Sequence, residues 1–164
     1  MAILSCCFTG HRQIPVAELA PLTFHLDAAL AALYDNGCRS FYAGGARGFD
    51  TLAASRVLLL REQHPDVRLF LLLPCRNQTA GWSGEDAMRF DEILSLSDGY
   101  RYMQEEYSTT AIVARNRALV EEGEVCIAYV RRSASGSGQT LRVAQEKERA
   151  FINLADRFCA SEIS

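Results

Sequence analysis

Residues Phe41-Tyr42-Ala43-Gly44-Gly45-Ala46-Arg47-Gly48-Phe49-Asp50-Thr51 constrain this chain more than any other stretch. A β-prone run, Arg39 to Ala43, ends in a glycine-rich turn, and an amphipathic helix with Leu52, Val57, Leu58 and Leu59 opens near Asp50 or Thr51. Gly44, Gly45 and Gly48 permit positive φ and close backbone approach. Asp50 or Thr51 is expected to cap the helix, whose free N–H groups form an anion site. A plain strand-to-helix connection would use the same residues. The arrangement returns, however, at Thr9-Gly10-His11-Arg12 and at Ser135-Gly136-Ser137-Gly138-Gln139-Thr140. Neither G-x-G-x-x-G nor the Walker A pattern occurs, so a nucleotide fold here is neither the standard dinucleotide type nor a P-loop.

Around that stretch the chain alternates strand and helix. Ile3 to Thr9 reads as a first strand, apolar nearly throughout, as in a parallel strand covered on both faces. Leu19, Leu22, Leu26, Leu30 and Leu33 keep helical spacing, with Gly37 as the stop. After the second strand, a helix from Asp50 to Gln63 ends at His64-Pro65-Asp66. Val67 to Leu73 is a third strand closed by Pro74, then come a polar loop holding Trp82 and a helix from Glu85 to Leu96. Gly99 to Met103 is a fourth strand. The loop Gln104 to Thr110 leads into a helix through Ile112, Leu119 and Val120, and Glu124 to Val130 is a fifth strand. A helix starts near Gln139 or Thr140, and Phe151 to Ala155 suits a sixth strand on an edge. This alternation predicts a single-domain three-layer α/β fold over residues 1–155, with a mostly parallel sheet of five to six strands and a loosely attached tail at 156–164. Ligands in such sheets lie beyond the carboxyl ends of the strands, so the three glycine-bearing loops should converge on one edge.

Composition narrows the function classes. The 164 residues carry a net charge of −3, which disfavours a general polyanion-binding scaffold. No apolar run approaches the ~20 residues of a membrane span, and Met1 to Cys7 lacks a basic leader region. The six cysteines show no C-x-x-C and no metal-like spacing with histidine, so a reducing, cytoplasmic compartment and no metal are expected. Of the 17 basic residues only Lys147 is lysine. Arg12, Arg47, Arg76, Arg131 and Arg132 fall just after predicted strands, where a planar guanidinium suits phosphate. Arg115-Asn116-Arg117 sits in the first turns of the fourth helix, near its positive end. Trp82 and Tyr107 lie on polar loops, as stacking partners for a base or as anchors on the core. His11 is the one histidine in a candidate site, as acid, base or hydrogen-bond partner. Glu85, Asp86, Glu105 and Glu106 are loop carboxylates that make no catalytic constellation.

Thr9-Gly10-His11-Arg12, Gly44-Gly45-Ala46-Arg47-Gly48-Phe49-Asp50, Arg115-Asn116-Arg117 and Gly136-Ser137-Gly138-Gln139-Thr140 together resemble the SLOG superfamily, and within it the YpsA-like group of small bacterial proteins. The second motif also resembles the A-R-G-I-D segment of the DNA-processing DprA proteins, with Phe49 in place of isoleucine. The superfamily further includes the Lonely-guy enzymes, which release the base from nucleoside monophosphates. Their P-G-G-x-G-T-x-x-E motif differs here: Ala43 precedes the glycines, Arg47-Gly48-Phe49-Asp50 follows, and Glu62 lies several turns down the helix. The resemblance implies a Rossmann-like domain that binds or senses a nucleotide or nucleotide-derived ligand similar to ADP-ribose or NAD. A nucleotide-processing hydrolase or a single-stranded DNA binder are the alternatives it carries. By position, the ligand residues it implies are Gly10, His11, Arg12, Gly44, Gly45, Ala46, Arg47, Gly48, Asp50, Arg115, Asn116, Gly136, Gly138 and Thr140. Self-association through an exposed helix pair is compatible with the pattern. Gly45→Val and Arg47→Ala are expected to remove ligand binding and leave the fold intact.

Overall fold

The computed structural model describes residues 2–132 and 134–159. In chain order the elements are β1 (Ser5–Gly10), α1 (Val16–Asp35), β2 (Ser40–Ala43), α2 (Phe49–Gln63), β3 (Arg68–Cys75) and α3 (Gly84–Leu96). They continue with β4 (Gly99–Gln104), α4 (Thr109–Glu122), β5 (Val125–Tyr129), α5 (Gly136–Glu146), β6 (Ala150–Asn153) and the short α6 (Asp156–Cys159). Every strand pairing is parallel, in the order β4-β3-β2-β1-β5-β6. The fold is the expected Rossmann-like α/β arrangement, with a sheet parallel throughout.

Pleating divides the apolar strand residues between two faces. On β1, Cys6 and Phe8 face the main core, with Leu69, Leu71 and Leu73 of β3 and Val125, Ile127 and Tyr129 of β5. Leu22, Leu26, Leu30 and Leu33 of α1, Phe49, Ala53 and Val57 of α2, and Phe90 and Ile93 of α3 cover that face. Cys7, Leu72 and Cys126 point the other way, against Ala118 and Leu119 of α4. Val120 joins Val143 and Ala144 to dock α5 beside α4. Two covered faces explain why β1, β3 and β5 read as continuous apolar runs rather than alternating ones.

The topology fixes where a site can form. The chain steps outward from β1 through β2 and β3 to β4, then crosses back by α4 to lay β5 on the other side of β1. The switch point is therefore the gap between β1 and β5. The loops after those two strands, Gly10 onward and Val130 onward, open there at the carboxyl edge.

Several boundaries differ from expectation for identifiable reasons. Pro74 does not end β3, which pairs on to Cys75 opposite Gln104. β2 stops at Ala43, opposite Leu71, so the β2 side of β3 has no further ladder bond for a proline to forfeit. Helix α2 opens at Phe49 with Gly48 at its N-cap and no side-chain cap, so neither Asp50 nor Thr51 caps it. Helix α5 opens at Gly136, one turn earlier than expected, because Ser135 Oγ accepts the Gly138 amide. Helix α1 runs from Val16 and is, among the described residues, the one helix long and apolar enough to cross a membrane by length and composition. Its apolar content is divided between the buried leucine seam and exposed Val16 and Phe24, and Leu19, read as a core position, is also exposed. After β6, Phe158 sets its ring edge-on to Tyr129 and His25 at 6.4 and 6.1 Å, so α6 is packed on the body. Residues 160–164 of the expected tail lie outside the described residues.

Gly123, which ends α4, has an ordinary φ of −91°. A Cβ there would sit 2.6 Å from the Cys7 amide nitrogen and 2.9 Å from Cys7 Sγ. The neighbour is strand backbone and cannot swing away, so the requirement is steric. Gly123→Ala should destabilise the protein by about 1–3 kcal/mol, read as a lower urea midpoint with an unchanged slope.

Candidate functional site

The glycine turn between β2 and α2 is shaped chiefly by contacts inside the protein. Gly45 and Gly48 have φ of +75° and +77°, which side-chain-bearing residues rarely adopt. A Cβ on Gly45 would fall 2.4 Å from Leu73, and one on Gly48 would fall 2.2 Å from the Arg12 carbonyl. One on Gly44 would meet the Arg115 guanidinium at 2.7 Å and the Asp50 carboxylate at 2.9 Å. These residues are glycine because the core and the neighbouring loop come so close. Gly45→Val would therefore strain the turn and crowd Leu73, so it is not the fold-neutral change expected from sequence.

Beneath the turn lie two buried charged groups. Asp50, 5% exposed, accepts the Ala46 amide at Oδ2, and its Oδ1 has no hydrogen-bond partner among the described residues. Burial pushes its carboxyl up to about 6, against the opposing pull of Arg115, the Ala46 amide and Arg12. Arg115, 7% exposed, donates through Nη1 to the Gly44 carbonyl and through Nε to Asn116 Oδ1 at 2.9 Å. Burial lowers its pKa and the nearby Asp50 charge raises it. Asn116 in turn donates to Gln139 Oε1 at 3.2 Å and so joins α4 to α5.

On the other side of the switch point, His11 pins two loops together. Its Nε2 accepts the Arg131 amide at 2.8 Å, and its Nδ1 stands 3.3 Å from Ser137 Oγ at the start of α5. A ring nitrogen that accepts is unprotonated, so the ring proton sits on Nδ1 and points at the serine. Burial lowers the imidazole pKa, and Arg132 and Arg131 push it the same way. His11 is thus a neutral connector that holds the β5–α5 loop and the α5 N-terminus against the end of β1.

These parts enclose an open cavity of about 780 Å³. Gly10, His11 and Arg12 line it after β1; Ala46, Arg47, Gly48 and Asp50 line it from the glycine turn; Arg115 and Asn116 form its wall on α4; Gly136 closes it at α5. The three glycine-bearing loops do converge on one edge. Gly44, Gly45, Gly138 and Thr140 do not line the cavity. Thr140 is fully buried and its hydroxyl donates to the Gly136 carbonyl. Arg131 is directed away, paired with Glu18 of α1, and Arg117 is exposed outside the cavity. Thr9, Gln13, Asp86, Ile112, Leu119, Arg132, Ser135 and Ser137 also contribute to the lining. The serines follow from the early start of α5, which a serine followed by a helical run signals. Ile112 and Leu119 carry no chemical signature and needed the fold. Among the described residues, no cluster of three or more His, Cys, Asp or Glu side chains is placed to hold a metal ion.

The model of the YspA SLOG family (YpsA) matches residues 7–154, which includes every loop of this cavity. The chain belongs to the YspA SLOG family. This SLOG protein is 25% identical over 118 residues to the uncharacterized SPbeta prophage-derived protein YoqJ of Bacillus subtilis, a match covering 65% of this chain and 69% of that one. It is 27% identical over 89 residues to the UPF0398 protein BH1768 of Halalkalibacterium halodurans, covering 54% of this chain but only 44% of that protein. Among solved structures it resembles DNA processing protein A of Helicobacter pylori, with a TM-score of 0.66, 19% identity and coverage of 98% of this chain and 74% of the other. DprA of Streptococcus pneumoniae also gives 0.66, at 17% identity over 91% of this chain and 49% of the other. TM1055 gives 0.57, at 15% identity over 91% and 72%. At these identities the likeness to solved structures establishes the fold alone.

The Asp50 carboxyl makes the SLOG protein's stability depend on pH in a definite direction. Its pKa rises from an ordinary 3.8 to about 6, so between those values the folded state holds the proton more tightly than the unfolded chain. Its stabilising contribution is full below the lower value and lost as pH rises through the upper one. Asp50→Asn removes this loss. The unfolding free energy of the variant minus that of wild type should climb between pH 4 and 6 and level off above, in chemical denaturation series. A difference that stays constant with pH would mean Asp50 titrates as it does in the unfolded chain.

Proposed function

We propose that this SLOG protein binds, as a carrier or sensor, a phosphate-bearing nucleotide or nucleotide derivative of the ADP-ribose or NAD kind. The observation that carries this reading is the charge state of the cavity wall. Arg115 is buried and oriented by a backbone carbonyl and Asn116, yet it forms no ion pair among the described residues. Arg12, Arg47 and Arg132, also in the lining, form none either. Four guanidinium groups face two carboxylates, Asp50 and Asp86, so the cavity suits an anion.

The phosphate is assigned to the α5 side. At α2 the Asp50 carboxylate already occupies the first turn and answers its positive end. Helix α5 has no acidic residue in its first turn, and a Cβ on Gly136 would meet nothing within 4 Å. That leaves room for an oxyanion over the free amides, within reach of Arg12 and Arg132.

Likeness to DprA supplies a second reading, since the Helicobacter pylori study concerns single-stranded DNA binding. An extended strand would exchange many counterions, so its affinity would fall steeply with salt, whereas a nucleotide in a cavity would respond weakly.

A thermal-shift panel of ADP-ribose, NAD, AMP, ATP and a short single-stranded oligonucleotide tests both. A ligand at about 100 times its Kd adds about 2.7 kcal/mol of stability. We expect a shift with at least one adenine nucleotide that survives about 0.5 M salt, where exposed charges are screened within a few ångströms. Gly136→Val, which fills the α5 side without strained backbone, should keep the Tm of the free protein and abolish that shift. A shift with the oligonucleotide alone would establish the DNA reading instead.

A further inference from the structure

Next to the main cavity lies a side chamber of about 60 Å³ that shares Arg12, Ala46, Ile112 and Arg115 with it. Its remaining walls are of a different kind. Pro74, Gln78, Trp82 and Tyr107 line it, two of them with flat aromatic rings. Trp82 is held edge-on against Phe90, with ring centres 5.7 Å apart, and the Arg47 guanidinium lies 5.1 Å from its centre. Gln78 donates from Nε2 to the Gly45 carbonyl at 3.0 Å, which fixes the orientation of its amide. The other end of that amide, Oε1, is buried and has no hydrogen-bond partner among the described residues.

A buried acceptor held without a donor is unfavourable, and a bound ligand with an N–H group relieves it. Flat aromatic walls favour a planar heteroaromatic ring, which stacks with little loss of conformational freedom. The shared lining makes the chamber continuous with the cavity whose far end suits phosphate. A molecule with a ring at one end and a phosphate at the other would span both.

We infer that the side chamber of Trp82, Tyr107, Pro74 and Gln78 receives the nucleobase of the bound nucleotide, and that Gln78 Oε1 selects bases bearing an exocyclic amino group. This rests on the nucleotide reading of the main cavity and adds to it a base site and a specificity residue. Gln78 acts by binding alone, and no reaction is assigned to it.

Trp82 is the protein's single tryptophan, so its fluorescence reports on this chamber without interference. Three probes separate the parts: ribose 5-phosphate, purine riboside 5′-monophosphate, and AMP, which differs from the second by the amino group alone. By calorimetry all three should bind, AMP about ten-fold more tightly than purine riboside 5′-monophosphate, as befits one hydrogen bond. The two nucleotides should quench Trp82, and ribose 5-phosphate should not. Gln78→Leu should bring the two nucleotides to equal affinity and leave ribose 5-phosphate within two-fold of wild type. Binding of ribose 5-phosphate with no gain from a base and no change in Trp82 fluorescence would overturn the base site and leave the phosphate reading intact. Equal affinity of the two nucleotides for wild type, with quenching, would overturn the selection by Gln78. Binding of none of the three would overturn the base site, and the nucleotide reading falls with it where ADP-ribose, NAD and ATP also give no thermal shift.

Discussion

The contact between the Arg115 guanidinium and the Gly44 carbonyl ties the site together. It links α4, which lies on one face of the sheet, to the turn that launches α2 on the other. A guanidinium reaches that carbonyl only because residue 44 has no side chain, and the same gap admits the Asp50 carboxylate from below. Two buried charges therefore stand close without pairing directly. Each is held by a neutral partner instead: Arg115 by a carbonyl and Asn116, Asp50 by the Ala46 amide. Such a cluster is costly to assemble in a low-dielectric interior and is poorly replaced piece by piece. The guanidinium at the cavity wall is thus oriented by groups within the protein itself.

His11 plays the matching part across the switch point. The histidine beside a glycine reads from sequence as an acid, a base or a hydrogen-bond partner. In the fold, Nε2 accepts a backbone amide and Nδ1 faces Ser137, so both ring nitrogens are engaged within the protein. Burial lowers its pKa, and Arg132 and Arg131 at its edge push the same way. What it contributes is position: the loop after β5 and the first turn of α5 are fixed relative to β1. The edge of the sheet thus has two internal clamps, one on each side of β1, with the cavity between them.

The layout was legible in the sequence because it rests on period and punctuation. Continuous apolar strands, leucine-spaced helices and glycine turns gave the layers, the parallel sheet and the convergence of three loops. The purpose of individual glycines was not legible. Gly44, Gly45 and Gly48 look like residues that let a ligand approach, yet their missing side chains make room for Arg115, Leu73 and the Arg12 carbonyl. Sequence spacing shows that a close approach is needed and is silent about what approaches. Thr140 misled for a related reason: placing the start of α5 one turn late put an internal, fully buried residue at the helix mouth. Arg131 and Arg132 are indistinguishable as letters, and only the position of Glu18 on α1 decides which of them is neutralised.

That last distinction extends to other arginines and shows how a chain of net charge −3 can present a cationic cavity. Arg39 pairs with Asp66, Arg56 with Asp27, Arg61 and Arg68 with Asp98, and Arg76 with Glu105. The first four pairs lie on helices or at strand starts, and Arg76 and Glu105 follow the ends of β3 and β4 outside the cavity lining. Arg12, Arg47, Arg115 and Arg132 make no such pair among the described residues, and all four line the cavity. The net charge is a sum over the surface, whereas a ligand responds to the local field in a concave, partly desolvated space. The overall acidity argues against broad polyanion binding. The arginines without ion pairs gather positive charge in one concave place.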